Sequence, residues 1–194
     1  MVATSARART KGRVDVISNL FYGERVRLTA LRIEDAKTWA AWFQDGEFGR
    51  LLTSETRPRS ERELEKFIVE TVNAQDEYVF AIRLHYSDEI IGFVRLDDIR
   101  WNHGTASVAI AIGDSSHRGK RYGEEAMRLT LKYAFHELNL HRLQLNVYSY
   151  NERAIRLYER LGFQREGIQR EALLRDGQRY DVLDFGLLAS EWTG

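Results

Sequence analysis

Apolar and polar residues alternate along this chain with two different periods, and these periods predict where its strands and helices lie. A period of two predicts strands at 25–29, 77–85, 90–99, 105–112, 141–148, 164–174 and 180–188. A period of three to four predicts helices at 34–43, 60–72, 122–138 and 152–161. Short polar turns join the second, third and fourth strands, which predicts an antiparallel meander.

The order of these elements defines the fold class. It reads β αα βββ α β α ββ, which predicts an α/β (α+β) protein with a mixed, mostly antiparallel seven-stranded sheet and helices on both faces. Gly46 and Gly49 are expected to end the first helix, and 50–59 is expected to be irregular. The last two strands flank Asp176 and Gly177, a dipeptide typical of a tight hairpin turn.

The chain of 194 residues suits a single domain, which we place at 14–194. The segment 1–13 carries Arg7, Arg9, Lys11 and Arg13 and lacks the apolar run of a secretory signal. A disordered basic tail is therefore the prediction for 1–13.

Charge and cysteine content narrow the function classes. Lysine and arginine together number 29, as do aspartate and glutamate, so no overall field favours nucleic acid or an anionic membrane. No apolar run approaches the roughly 18 residues of a membrane span. The chain has no cysteine, which excludes disulfides, cysteine-bound metal and a cysteine nucleophile. A cytoplasmic protein without a metal cofactor is the expectation.

A glycine-containing basic loop gives the clearest chemical signal. The strand at 105–112 ends at Gly113, a loop with cationic and glycine residues follows at 118–123, and the most regular helix begins there. Helix N-termini attract phosphate, and glycines let the backbone N–H groups approach it. The sequence lacks both G-x-x-x-x-G-K-[ST] and G-x-G-x-x-G, which disfavours an ATP or NAD site. Taken alone, the loop could also be a solvated basic turn.

Three stretches together resemble the GCN5-related N-acetyltransferases (GNAT). They are the loop at 118–123, the segment 151–163 and the last strand at 180–188. Within that superfamily the resemblance is to the group with ribosomal-protein N-terminal acetyltransferases and spermidine acetyltransferases, and it covers about 21–192. It implies that the fourth and fifth strands diverge and that acetyl-coenzyme A (acetyl-CoA) lies between them.

The resemblance also assigns residues to the cofactor. The pantetheine arm would pair with the fourth strand and touch Asn151, and the pyrophosphate would lie on the basic loop. The implied cofactor-binding set is Ile110, Ala111, Ile112, Arg118, Gly119, Lys120, Arg121, Tyr122, Gly123, Asn151 and Arg156. Asn151 can equally act as the N-cap of the helix that follows it. Arg121 stands where the family usually has glycine, which favours φ below zero there and adds a cation near the pyrophosphate.

A direct transfer in a ternary complex is the implied mechanism, because no cysteine can carry the acetyl group. Tyr158 matches the tyrosine that serves as general acid in the family, and this match favours the catalytic role over that of an aromatic residue packed against the sheet. Relatives often carry a glutamate base where this chain has Ser107. Asp98 is our tentative base, with its neighbour Asp97 as the other main candidate. Glu47 and His103 are weaker candidates, and a reaction without a protein base, in which water carries the proton away, is also open.

The resemblance thus implies an enzyme that transfers an acetyl group from acetyl-CoA to a primary amine. The amine would be a protein N-terminus or a small molecule such as a polyamine. The segments 34–75 and 170–182 should select it, and their mixed charges are less acidic than a polyamine site should be. A non-catalytic acyl-CoA sensor on the same fold is the alternative. A homodimer is expected from the resemblance alone; nucleic acid and membrane are not expected partners.

Overall fold

The computed structural model describes residues 19–72 and 74–194, so the predicted tail at 1–13 lies outside the described residues. The strands are β1 (Val26–Ala30), β2 (Tyr78–Leu84), β3 (Ile90–Arg100), β4 (Thr105–Ile112), β5 (Arg142–Tyr148), β6 (Gln164–Arg175) and β7 (Gln178–Leu188). The helices are α1 (Asp35–Trp42), α2 (Gly46–Leu52), α3 (Glu61–Val72), α4 (Tyr122–Lys132) and α5 (Glu152–Arg160). Within the described ranges, none of the helices has the length and apolar character needed to span a membrane.

All seven strands belong to one sheet in the order β1-β2-β3-β4-β5-β7-β6. Every neighbouring pair is antiparallel except β4 and β5, which run parallel. That pair is joined only from Thr105 opposite Arg142 to Ser107 opposite Gln144, and beyond this point the two strands separate. The predicted mixed seven-stranded sheet is confirmed.

Helices cover both faces of the sheet, as the alternating pattern predicted. On one face, α4 and α5 pack on a core that includes Met127, Leu131, Leu143 and Phe185, all at most 1% exposed. On the other face, α1 and α3 bury Trp39, Leu64 and Ile68 against β2 and β3. The ring of Trp39 lies 4.6 Å from that of Phe93 on β3.

Two local predictions were wrong. The first helix ends before Gly46 as expected, but residues 46–52 then form the short helix α2, so the start of the segment expected to be irregular is helical. The side chain of Asp45 caps the N–H of Glu47 at 2.9 Å and Phe48 is buried. The predicted helix 122–138 does not stay α-helical, since a π-helical turn occupies Tyr133–Glu137. The wider turn allows the consecutive residues Ala134 and Phe135 both to enter the core.

Several turn and cap predictions were correct. Gly162 follows α5 with φ of +95°, the left-handed conformation expected of a glycine after a helix. Asp176 and Gly177 both have positive φ in the β6–β7 turn. Asn151 caps α5, because its side chain accepts a hydrogen bond from the N–H of Ala154 at 3.2 Å.

A buried ion pair, which the sequence did not reveal, joins α1 to β2. Arg83 Nη2 lies 2.6 and 2.7 Å from the two carboxylate oxygens of Asp35, and the residues are 3% and 5% exposed. The N–H of Arg32 also donates to Asp35, at 2.8 Å. The pair fixes the first helix against the sheet.

Candidate active site

The separation of β4 and β5 opens a cavity of about 630 Å³ that passes through the sheet. On the α4–α5 face its lining includes Val108, Leu145 and Tyr158, which belong to the apolar core of that face. Side chains alternate along a strand, so Ser107 and Asn146 line it on the opposite face. We call this opening the cleft, and the face that carries Ser107 and Asn146 the polar face.

The N-terminus of α4 forms one wall of the cleft. Arg121 is the N-cap of this helix, and its side chain makes no capping hydrogen bond. The first N–H groups of a helix have no partner within it, so those that follow Arg121 are available to an anion. Gly119, at φ of +78°, has no atom within 4 Å of where a Cβ would stand, which leaves this wall open.

Arg121 adopts φ of +64°, so the expectation of a negative φ at this position was wrong. The loop reverses direction at Arg121, just before the helix begins. Arg121 takes the left-handed conformation there even though it carries a side chain. This conformation costs an L-residue roughly 1–2 kcal/mol. It accounts for glycine being the family's usual residue here.

Arg118 braces the loop from inside the protein. Its side chain is 8% exposed, and it donates to the carbonyls of Ile112 at 3.1 Å and Gly113 at 2.7 Å. The carboxylates of Asp45 and Glu47 lie 3.6 and 3.4 Å from its guanidinium. Its own backbone N–H donates to the carbonyl of residue 115 at 3.1 Å. Arg118 lines the cleft, but its guanidinium Nε and Nη2 and its backbone N–H are already engaged.

The structure brings most of the predicted cofactor residues together. Those that line the cleft are Ile110, Ala111, Ile112, Arg118, Gly119, Arg121, Tyr122, Gly123 and Asn151. Two do not line it: Lys120, and Arg156, which pairs with Glu152 at 2.9 Å on the exposed side of α5. The i, i+4 spacing of Glu152 and Arg156 is the signal that points to this surface pair instead of a cofactor contact.

Tyr158 lies in the cleft where β4 and β5 diverge. It is 6% exposed, and its ring packs 5.9 Å from that of Phe163 and 6.4 Å from that of Phe185. Burial raises the pKa of the Tyr158 phenol to about 12. The side chain is therefore both packed in the core and present as a neutral phenol, able to donate a proton. Its role as general acid stays a prediction.

The candidate bases have different surroundings. Asp97 stands opposite Ser107 in the β3–β4 ladder and is ion-paired with Arg95, which also lies 3.5 Å from Glu77. Burial raises the pKa of the Glu77 carboxyl. Asp98 has φ of +49° in a bulge, with its half-exposed side chain 3.1 Å from Arg100. Both aspartates line the cleft, whereas Glu47 and His103 do not.

The two segments predicted to select the acceptor meet at the polar face. Arg50 of α2 makes two hydrogen bonds to Asp176 in the β6–β7 turn, at 2.6 and 2.8 Å. Arg175 donates to the carbonyl of Thr53 at 2.7 Å, and Tyr150 donates to that of Arg50. We call these contacts the clasp. Since Leu51 and Leu52 line the cleft, the clasp holds α2 across one end of it.

The sequence did not single out Asp184, a carboxylate that lines the cleft from β7. It stands opposite Asn146 of β5, and Gln169 donates to its two oxygens at 2.9 and 3.2 Å. In the part of the chain that the structure describes, no group of three or more histidine, aspartate or glutamate side chains is arranged to hold a metal ion.

Comparison with known proteins places this arrangement in a family. The family described as acetyltransferase (GNAT) domain matches residues 25–164. A prophage-derived, uncharacterized N-acetyltransferase of Bacillus subtilis, YokL, is 31% identical over 88% of this chain and 93% of its own. The alanine N-acetyltransferase of ribosomal protein uS5 from Escherichia coli is 31% identical, over 54% of each chain.

A solved structure shares the fold. The spermidine N-acetyltransferase of Vibrio cholerae, in complex with CoA and spermine, superimposes with a TM-score of 0.79 at 28% identity, covering 87% of this chain and 98% of that one. The chain belongs to the GNAT family. It is an acetyl-CoA-dependent N-acetyltransferase.

Proposed function

We propose that the cleft holds acetyl-CoA and a small-molecule amine together and transfers the acetyl group directly between them. The observation that carries the proposal is the separation of β4 from β5 beyond Ser107, with the uncapped N-terminus of α4 on one side and Tyr158 beside the opening. An extended thioester can lie in such an opening and be reached from the polar face.

Acetyl-CoA would use the backbone of β4 and α4. Beyond Ser107, β4 has β3 on one edge and no strand on the other, so the pantetheine amides can pair with that open edge near Ile110 and Ala111. The pyrophosphate would accept hydrogen bonds from the first N–H groups of α4. The Arg121 side chain at this wall adds a positive charge near the pyrophosphate.

The transfer moves protons at the nitrogen and at the sulfur. The acceptor's alkyl ammonium, with an ordinary pKa of about 10, must lose a proton before its nitrogen attacks the thioester carbonyl. As the C–N bond forms and the C–S bond breaks, the nitrogen loses a second proton to become the amide, and the leaving thiolate takes a proton from the Tyr158 phenol, which regains one before the next turnover. Asp98 remains the tentative base, and Asp97, opposite Ser107 on the polar face, is its closest rival.

The relatives support a primary amine as acceptor. Two of the named relatives act on spermidine or on a ribosomal protein's alanine, which are both primary amines. We favour the small molecule, because the clasp spans one end of the cleft and restricts its width there. The Vibrio cholerae relative has also been solved as a dodecamer, so a homo-oligomer is consistent with the proposal. A cytoplasmic location stays a prediction.

Release of coenzyme A from acetyl-CoA tests the proposal. The assay uses separate pools of polyamines, peptides with free N-termini, aminoglycosides and amino sugars. We expect release with one pool of small amines and none without an amine. Tight binding of acetyl-CoA with no release in any pool would contradict the proposed amine transfer, and absence of binding would contradict the assignment of the cleft.

Arg121→Gly tests two effects of Arg121: the backbone strain of its left-handed conformation, and the contribution of its charge to acetyl-CoA binding. Glycine relieves the left-handed strain but gains freedom in the unfolded chain, so we expect the free energy of unfolding to rise by about 0.5–1 kcal/mol. Loss of the cation should weaken acetyl-CoA binding a few-fold at low salt and less at high salt. Urea denaturation and calorimetric titration at two salt concentrations measure both effects.

Lys120→Ala is the comparison for this variant, since it removes a neighbouring cation without relieving a left-handed residue. It should show no gain in stability. An Arg121→Gly variant no more stable than the wild type would mean that the left-handed strain is no larger than the cost of glycine's extra freedom in the unfolded chain.

A further inference from the structure

Of the residues in 19–72 and 74–194, five carboxylates line the cleft, and four of these have a cationic partner. Asp97 pairs with Arg95, Asp98 with Arg100, Glu124 with Arg128 and Arg160, and Glu166 with Arg142. Among the described residues, Asp184 alone of the five has no arginine, lysine or histidine within ion-pair distance. Its hydrogen bonds come from the neutral amide of Gln169.

The position of Asp184 in the sheet aims it at the polar face. Its neighbours Leu183 and Phe185 are buried in the core on the α4–α5 face, so Asp184 must point to the other side. It stands opposite Asn146, which lines the cleft beyond the last paired residues of β4 and β5. Asp184 therefore lines the cleft one strand spacing, about 5 Å, from Asn146.

The surroundings of Asp184 suit an ammonium ligand. The Asp184 carboxylate is half-buried and is oriented by the Gln169 amide, but no protein cation in the described part of the chain balances its negative charge. A positively charged hydrogen-bond donor on a ligand would balance that charge. The other carboxylates of the cleft are already neutralised by arginines. Tyr158 lies on the opposite face, so a ligand bound by Asp184 would approach the thioester from the side away from the phenol.

We propose that Asp184 binds the alkylammonium group of the acceptor amine and thereby selects cationic acceptors for the cleft. The proposal rests on the proposed function for its choice of ligand. Asp184 acts here as a substrate-binding residue, and Gln169 as the residue that positions it.

Equilibrium binding tests the proposal without requiring turnover. The enzyme is first saturated with coenzyme A. Two probes are then titrated calorimetrically in separate experiments: 1,4-diaminobutane, and a peptide that begins with alanine and has an amidated, uncharged C-terminus. These two probes distinguish a small diamine from a protein N-terminus as the source of the ammonium. For the probe that the wild type binds, Asp184→Asn should raise the Kd about 10- to 100-fold, because a charge-assisted hydrogen bond is lost. Asp184→Glu should recover part of the affinity.

Two comparisons make the result specific. Asp76→Asn removes the same charge from an exposed loop residue that does not line the cleft, and should leave the Kd unchanged. Gln169→Leu keeps the charge of Asp184 but not its orientation, and should give a smaller loss than Asp184→Asn. In steady-state assays the Asp184→Asn effect should fall on the KM of the amine, with the KM of acetyl-CoA within about two-fold of the wild type.

The outcomes for the two proposals differ. Equal amine affinity in the wild type and Asp184→Asn, or no binding of either probe to the wild type, would overturn the role of Asp184. Amine binding that depends on Asp184, without coenzyme A release from acetyl-CoA, would support that role and contradict the proposed transfer. A thermal melt of each variant shows whether it is folded.

Discussion

Tyr158→Phe is expected to lower kcat about 100-fold while the KM of acetyl-CoA stays within about two-fold of the wild type. The substitution removes the only ionisable atom of a side chain that is otherwise packed against Phe163 and Phe185. The ring contacts persist, so binding and folding should change little. The loss should appear in the step in which the thiolate leaves, because that step needs the phenol proton.

The pH dependence follows from the direction of the pKa shift. The Tyr158 phenol has a pKa of about 12, above its ordinary value near 10, because burial disfavours the phenolate. The phenol therefore stays protonated from about pH 6 to 10, and kcat should show no alkaline fall from this residue in that range. The stability that its burial contributes is fully present below about pH 10 and is lost as the pH rises towards 12.

The control is Tyr86→Phe, which makes the same chemical change at a tyrosine that is 78% exposed and does not line the cleft. Its kinetics should match those of the wild type. A Tyr158→Phe enzyme with wild-type kcat would exclude the phenol as the proton donor and leave packing as its function.

Arg83→Met should produce the largest loss of stability, about 3–5 kcal/mol in the free energy of unfolding. Without Arg83, the Asp35 carboxylate remains 5% exposed and keeps the backbone N–H of Arg32 as a donor but no buried cation. For a chain of this length the loss corresponds to a decrease in Tm of roughly 6–20 °C. Thermal and urea denaturation measure both quantities.

A double-mutant cycle distinguishes a broken ion pair from a general packing defect. The Asp35→Leu, Arg83→Met double variant buries no unpaired charge, so it should lose less stability than the sum of the single variants. Arg156→Met, which breaks an exposed pair with Glu152, should have little effect. Additive losses in the cycle would show that the Asp35–Arg83 pair is not the source of the effect.

Local patterns of apolar and polar residues predicted the order of elements, because strands and helices each impose their own spacing on the apolar residues of a short segment. They could not predict α2, since its seven residues are too few for a period and depend on the cap at Asp45 and on burial of Phe48. The π-helical turn after α4 could not be predicted either. The spacing of apolar residues in the sequence hardly differs between an α-helix and a helix that contains one wider turn.

The candidate site was predicted where its residues are close in sequence and missed where they are not. The loop before α4 and the position of Tyr158 followed from short motifs. The engagement of Arg118 with the strand end depends on how the loop folds back, and the Asp35–Arg83 pair joins residues 48 positions apart. Within the described residues, Asp184 has no cationic partner because the nearby arginines pair with other carboxylates of the cleft. Those pairings depend on how the strands are arranged in the folded sheet, so the sequence could not reveal them.

The separation of β4 and β5 also bears on the order in which substrates enter and products leave. The cleft is lined from both faces of the sheet, so a nucleotide held at the N-terminus of α4 would leave the polar face to the amine. Neither ligand would need to wait for the other. Steady-state kinetics should then show random addition, with coenzyme A competing only against acetyl-CoA and the acetylated amine competing only against the free amine.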